Sequence, residues 1–581
     1  MLSERENTLS GGMPTFLITS EGKDMSAYPV FQISVTKSVN RIDTAEIVLL
    51  DGSVTTEDFE ISNSKSFAIG NSIEIKAGYE GGFLTIFKGA ILKHAVKMDD
   101  DSSYLIITAK HVAYKMAILR KNAVYKEKSD HDILDEIFRD YGIKLTMEDT
   151  PVVHESVVQY NAMDWDFINM RADANAMLVI TGDDEIVIKK PDLSGDAKLE
   201  INSGTAIFNF EAEMDGRLAF GNYEASSWNF TNQKLDVVSA NTHKFDTPQG
   251  DIRASSIASR LGNEKFSLNI HSAITEESCT QEMLHAVAMR NNLSRITGKV
   301  SFPGKANIQP GDIIHFSGVG NHFNGKSIAS IIKHAITSDN WQTTLHFGVD
   351  YTLFGKQFDD INTPPASSVF PAINGLQAAK VIQLEGDPLG EDRILIHLPN
   401  FTSGEVDFWA RVATLDAGKE RGSFFMPEIG DEVIVGFIDD NPNNAIVLGM
   451  LHSSSLPSPV KIEDTNNIKG FYSREKIKLE FNDEDKAVLV ETPAGNIVKL
   501  NDKDKAIVLE DEHGNKISLD KNGITIKSSK TLALKASNNI EIEGKNITIK
   551  ASMGLKAEGN TSAEVSSSGN TVLKGSIVQI N

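Results

Sequence analysis

The sequence predicts a mainly β chain: small antiparallel barrels with a few helices, then an OB-type barrel, then a C-terminal β-helix wound from more than one copy. Three observations predict it. Short alternating strand patterns recur between Gly and Asp clusters from residue 29 to 109, and five more crowd into 379–451. The segment from Gly523 to Asn581 repeats in eights, with apolar residues at the first and third positions of each octad.

The composition frames these elements. A chain of 581 residues suggests roughly three or four domains. A hydrophobic content of 40% with 24% charge is ordinary for a folded protein. The formal charge of −23 makes the chain a poor ligand for nucleic acid or anionic lipid. Cys279 is the single cysteine, which excludes a disulfide framework or a Cys zinc site and reads as a small core residue. The start, Met1 to Asn7, lacks a basic run followed by an apolar one, so no secretory signal is expected there. No stretch approaches the ~20 apolar residues of a membrane span. The expectation is synthesis and folding in the cytoplasm, with any export carried out by something else.

In chain order, Phe31–Val35, Ala45–Leu50, Ser72–Gly78, Leu84–Gly89 and Tyr104–Ala109 alternate as strands of a small antiparallel barrel. Ser129 to Gly142 reads as one helix: Ser129 caps it, Asp132 stands at the capping-box distance, and Gly142 stops it. A second helix fits Asp164–Ala174, with Trp165, Ile168 and Ala172 on one face. A third runs from about Glu276 to Asn292, ahead of a strand-rich segment from Gly298 to Tyr351. After a linker carrying Pro364 and Pro365, the strands Lys380–Leu384, Ile394–Leu398, Phe408–Ala413, Glu432–Phe437 and Ala445–Gly449 suit an OB-type barrel. Beyond Pro457 and Pro459, a segment from Asp485 through Gly495-Asn496 to Leu500 recurs nineteen residues later, from Asp504 through Gly514-Asn515 to Leu519. These read as hairpin repeats with Gly-Asn turns. The expected boundaries are 1–358, a linker over 359–378, the OB-type barrel over 379–456, the nineteen-residue repeats over 457–522 and the octads over 523–581.

The octads place Ile524, Ile526, Leu532, Leu534, Ile540, Ile542, Ile547, Ile549, Leu555, Val565 and Leu573 on one stripe. Alternation of this kind gives short strands with one wet and one dry face, and its fixed period points to a β-helix. Two apolar residues per octad form a stripe rather than a core, and each strand leaves its edges unpaired. Octads are too short for one chain to wrap its own interior. Several identical chains around one axis solve both problems, and three suit a narrow, filled interior, so an obligate homotrimer is expected. A disordered tail would share the Ser-rich composition of 552–576 but not the regular Ile-x-Ile spacing.

Candidate chemistry is sparse. Gly320 to Ser327 fits the phosphate-binding loop pattern letter for letter after a strand-like run. The residues after it fit a helix through Ile328, Ile331, Ile332 and Ala335, or a strand with Ile328, Ile332 and Ile336 inward. A phosphate cradle needs a helix N-terminus in a parallel α/β sheet, and the surroundings read all-β. The fourteen histidines are scattered; His513 sits in a repeat turn and reads as solvated. The clusters at Asp99–Asp101 and Asn482–Asp485 lack calcium-loop spacing. Neither a catalytic residue, a metal site nor a cofactor is expected.

The run Trp409-Ala-Arg-Val-Ala, then Gly422-Ser-Phe-Phe-Met-Pro-Glu-Ile-Gly-Asp-Glu-Val-Ile-Val-Gly-Phe437, then Asn441-Pro-Asn-Asn-Ala-Ile-Val-Leu-Gly-Met-Leu451 resembles the barrel of VgrG proteins. These are spike proteins of contractile injection systems, related to phage tail hub and needle proteins. Pro371 to Val381 resembles the approach to that barrel. Pro310-Gly-Asp-Ile-Ile through Phe323-Asn-Gly-Lys to His334 resembles the second hub barrel, where the family places Phe-Asn-Gly in a hairpin. Asp164-Trp-Asp-Phe through Arg171-Ala resembles a helix of the hub's middle.

The resemblance implies a non-enzymatic trimeric hub-spike. Two pseudo-equivalent barrels per chain would form a ring seated on the tail tube and baseplate, followed by an OB collar and the β-helix needle. A PAAR-repeat protein would cap the tip, with Ile577, Val578 and Ile580 as its docking platform. Effector cargo, transient contact with a target membrane and delivery outside the cell or into a target cell would result from sheath contraction. No room for an inserted lysozyme domain is seen after Pro459, and the chain stops at Asn581, so a bare spike is expected. The rival reading is a trimeric tailspike that binds or cleaves carbohydrate, but the octads contain no Trp, Tyr or Phe.

Overall fold

The structure is a computed structural model that describes residues 13–53, 57–100, 102–204, 207–241, 245–270, 277–400 and 407–580. The expectations at Met1–Asn7, Asp101, Glu276 and Asn581 lie outside the described residues. Two compact units divide the chain: residues 1–374 with 439–443, and residues 375–438 with 444–581.

The first unit is organised by one thirteen-stranded sheet. Its first half contains β1 (Pro14–Ser20), β2 (Val30–Ser38), β3 (Thr44–Leu50), β4 (Ser72–Tyr79), β5 (Leu84–Met98) and β6 (Ser103–Lys110). Its second half contains β7 (Asn209–Met214), β8 (Ile296–Pro303), β9 (Ile313–Ser317), β10 (Gly325–Ile336) and β11 (Trp341–Phe347), and two short strands, Lys23–Asp24 beside β1 and Leu199–Asn202 beside β9, complete the thirteen. Each half encloses its own core. Ile33, Ile47, Ile75, Phe87 and Ile107 fill the first, and Val300, Phe302, Phe316, Leu345 and Phe347 the second.

The halves do not stand apart. β2 pairs antiparallel with β10, from Ile331 opposite Ser38 to Ile336 opposite Ile33, so two strand-rich segments distant in sequence share one sheet. Behind the seam Lys37 is buried; its ammonium donates to Gln309 Oε1 at 3.0 Å and pairs with Asp183 at 3.3 Å. Asp43 is buried close by, and burial pushes its carboxyl up to about 7 even though the Lys37 charge pulls the other way. Burial also lowers His111 to about 4 and His334 to about 3.

The helices lie where their sequence signals place them. α1 (Asp130–Asp140) starts on a complete capping box between Ser129 and Asp132, and Gly142 beyond its end takes φ +65°. α2 (Asp164–Ala174) buries Trp165, Ile168 and Ala172 against Ile133, Leu134 and Phe138 of α1. α3 (Glu277–Leu293) carries the half-buried Cys279 and covers the sheet formed by Asn222–Asn229, Lys234–Asn241 and Lys265–Ile270. Arg290 of α3 makes a fully buried ion pair with Asp173 of α2, whose second carboxylate oxygen accepts from Phe354 N at 2.5 Å.

In the second unit β12 (Gln377–Gln383), β13 (Ile394–His397), β14 (Asp407–Val412), β15 (Glu432–Phe437) and β16 (Ala445–Met450) close into a barrel in the order β12-β13-β14-β16-β15. Val381, Ile396, Ala410, Val433, Val435 and Val447 fill it. These are the five expected strands, with bounds shifted by no more than a few residues. Asp387 holds Arg393 and accepts from three backbone N–H groups, which fixes the loop between β12 and β13 and keeps its carboxyl far below the usual range.

Candidate functional site

The nineteen-residue repeats fold into an antiparallel meander. Its strands are β17 (Ile468–Tyr472), β18 (Lys478–Asn482), β19 (Ala487–Glu491), β20 (Ile497–Asn501), β21 (Ala506–Glu510), β22 (Lys516–Asp520) and β23 (Gly523–Lys527), paired in sequence order. Gly495 and Gly514 turn alternate hairpins at φ +88° and +79°, which is why the repeat needs glycine there. The Asn after each glycine ties its turn to the next one. Asn496 Oδ1 accepts from Glu512 N at 3.3 Å, and Asn515 Oδ1 accepts from Ser529 N at 2.9 Å.

Residues directly opposite one another in a sheet share a face, so the register fixes what each face displays. One column runs Phe471, Leu479, Val490, Val498, Leu509, Ile517 and Ile526. A second, two residues along each strand, runs Phe481, Val488, Leu500, Ile507, Leu519 and Ile524. Both columns lie on the same face, and most of their side chains are exposed. The opposite face carries Lys478 paired with Glu491 at 2.7 Å and Lys516 paired with Glu510 at 3.0 Å. The Glu491 carboxylate raises the Lys478 ammonium above its ordinary value. This is one amphipathic sheet whose apolar side has no cover within the described residues of its own chain.

The octad residues continue that side. Ile524 and Ile526 belong to β23, so the first octad is the seventh strand of the meander. From Ser528 to Ile580 no residue lies in a hydrogen-bonded strand, and residues 529–580 are exposed throughout. Leu532, Leu534, Ile540, Ile542, Ile547, Ile549, Leu555, Val565 and Leu573 stand in solvent, as do Ile577, Val578 and Ile580. The sequence alternation from Leu532 onward is therefore not realised as strands within one chain, because no neighbouring strand of the same chain lies alongside to pair with it.

The other sequence signals take these places in the fold. Gly320 to Ser327 forms the hairpin between β9 and β10 and leads into a strand, with Ile328, Ile332 and Ile336 buried. Lys326 Nζ donates to the Gly195 carbonyl at 2.6 Å, and a Cβ at Gly325 would lie 2.1 Å from Pro248 O, so that glycine serves close backbone packing. His513 is exposed beside Glu512. Among the described residues no group of three or more His, Cys, Asp or Glu could hold a metal ion, and no helix is long and apolar enough to cross a membrane.

Residues 10–338, more than half of the chain, match the family model described as the Alg8 N-terminal domain. Residues 377–452 match the type VI secretion system/phage-baseplate injector OB domain. The type VI secretion system spike protein VgrG1c of Pseudomonas aeruginosa is 29% identical over 118 residues, covering 19% of this chain and 16% of that protein. The spike protein VgrG3 of Vibrio cholerae is 29% identical over 101 residues, covering 16% and 10% respectively. The chain thus spans about a sixth or less of the length of these curated relatives. A solved tail protein of prophage MuSo2 from Shewanella oneidensis is similar at a TM-score of 0.44 and 8% identity, covering 58% of this chain and 98% of that one. The chain belongs to the family that carries the Alg8 N-terminal domain, and part of it is similar to VgrG spike proteins of type VI secretion systems.

Proposed function

We propose that three copies of this chain assemble through the uncovered apolar side into the hub-spike of a contractile injection machine. The role is structural and mechanical, not catalytic. The observation that carries the reading is the pair of apolar columns, one crossing all seven strands of the meander and the other six, both ending in the first octad. Three such sheets with these columns inward form a filled prism, each copy satisfying its own backbone hydrogen bonds as far as Lys527. From Ser528 onward, backbone pairing comes from the other two copies, so the chains wind together with Leu532, Ile540, Ile547 and their octad equivalents on the axis. A rod of this kind has no free strand edge and transmits axial load.

The exposed Ile577, Val578 and Ile580 offer an apolar platform for a PAAR-type tip. The first unit joins the tail tube and baseplate, and contraction drives the spike and its cargo through a target envelope, with only transient contact with the target membrane. Three copies at −23 each disfavour nucleic acid as a partner. A chain made in the cytoplasm is on this reading delivered outside the cell or into a target cell as part of the particle. The tailspike alternative lacks the aromatic sugar-binding side chains such a coil would present, since no Trp, Tyr or Phe lies between residues 523 and 581. Light scattering on the purified full chain tests the core of the reading. Three times the chain mass is expected; a folded monomer would overturn it.

A further inference from the structure

His111 follows β6 and opens the 3₁₀ turn Val112–Ala117, which carries the chain from the first half of the sheet toward the helices. The turn buries Ala113 and Met116 in the core that also holds Ile133, Leu134 and Phe138 of α1 and Trp165 of α2. Its start is held by an imidazole: Ala113 N donates to His111 Nδ1 at 3.3 Å. A ring nitrogen accepts a hydrogen bond only while it carries no proton, so this cap exists only for the neutral ring. Ser, Thr, Asp and Asn are the usual residues at such a position, and none of them exchanges its acceptor for a donor in mild acid.

The groups around the ring oppose a second positive charge. Burial acts first and the Lys37 ammonium second, while Asp183 and a hydrogen bond to the Gly182 backbone pull the other way by less. The balance lowers the ring to about 4. Asp43 lies alongside, its carbonyl accepting from His111 N at 3.0 Å. The Asp43 carboxyl binds its proton at about 7, so it is already neutral when the ring titrates and supplies no countercharge. Lys115, on the turn itself, is exposed. A cavity of about 410 Å³ opens beside the ring, lined by His111 with Glu74, Lys88, Asp183 and Asp184. Lys88 pairs with Asp184 and Lys37 with Asp183, so the cavity is a polar, water-sized path along which a proton reaches an otherwise buried imidazole.

We propose that His111 is an acid-released latch between the first half of the sheet and the helices. Proton uptake at Nδ1 turns the acceptor into a donor facing the Ala113 N–H. The turn then lets go, and Ala113 and Met116 leave the core they share with α1 and α2. The device works within one chain and stands apart from the trimeric reading. The test is amide exchange on the full purified chain, read by mass spectrometry over residues 111–118 at pH 7.5 and pH 4.5 and corrected for the intrinsic pH dependence of exchange. A ring that titrates near 6.5 when released and about 4 when latched should speed exchange there by about 50-fold. The H111N chain keeps an acceptor that no proton alters, and it is expected to hold the turn at both pH values; H111A is expected to leave it open at both. Unchanged exchange in the parent chain at pH 4.5 overturns the latch, as does an H111N chain that opens with acid as the parent does. Equal acceleration in β10 around His334 would mark a general loosening and overturn it too.

Discussion

Replacing Ile540 and Ile542 together by Asp interrogates the assembly within the octads. Their side chains are 54% and 65% exposed in one chain, so more than half of each remains to be covered by other copies. Full burial of an isoleucine contributes roughly 2 kcal/mol, so covering the remaining surface contributes about 1 kcal/mol for each side chain, or about 7 kcal/mol for six in a trimer. The carboxylates add the cost of desolvating six like charges about one axis. At about 1.4 kcal/mol per decade, trimer formation should weaken at least about 10⁵-fold. The assay is a concentration series by light scattering with thermal melting, alongside circular dichroism to confirm that the barrels remain folded. Ile540→Val/Ile542→Val serves as the control and should stay trimeric. An Asp double variant with unchanged mass and an unchanged melting point would refute the reasoning.

Other outcomes can be read from the same structure. Leu500→Asp with Ile507→Asp, a directly opposed pair in the fourth and fifth strands of the meander, should also abolish the trimer while leaving the first unit's melting transition in place. Arg290→Met strands the buried Asp173 carboxylate and should cost about 3–5 kcal/mol in urea unfolding, whereas a double variant that also removes Asp173 should recover much of the loss. Asn515→Ala releases Ser529 N and should speed amide exchange just beyond β23 by about tenfold, with the barrel amides unaffected. Asp43 binds its proton more tightly when folded, at about 7, than when unfolded, near 3.8. Its contribution to stability is therefore greatest below about pH 4, declines as pH rises to about 7 and is flat above that, opposite to the trend set by the buried His111 and His334. Asp43→Asn should thus stabilise the chain more at pH 8 than at pH 4, as read by melting temperature.

Much of this was legible in the sequence wherever the determinants are local. The capping box at Ser129 and Asp132 announces α1, and the five barrel strands emerge from runs such as Glu432–Phe437 bounded by turns. Non-local pairing left no such mark: nothing in Phe31–Val35 indicates that its strand pairs with β10, because the hydrophobic pattern specifies which face is dry and not which strand is adjacent. The apolar columns were hidden for a different reason. Leu489, Ile497 and Val508 sit on the opposite face, so stretches such as Ala487-Val-Leu-Val read as continuous apolar runs rather than alternation. The octads showed their stripe because Lys, Glu, Thr and Ser occupy most intervening positions. At Gly320–Ser327 the letters of a phosphate loop are present without the helix that gives them meaning, since β-branched residues after Lys326 continue a strand.

The pairing of β2 with β10 has a price in time. About 300 residues separate the two strands, so a ribosome adding about 5–20 residues per second releases β2 some 15–60 s before its permanent neighbour emerges. Throughout that interval the nascent chain presents an open β edge that another nascent chain could occupy. The first half of the sheet thus completes its pairing only once translation reaches Ile336.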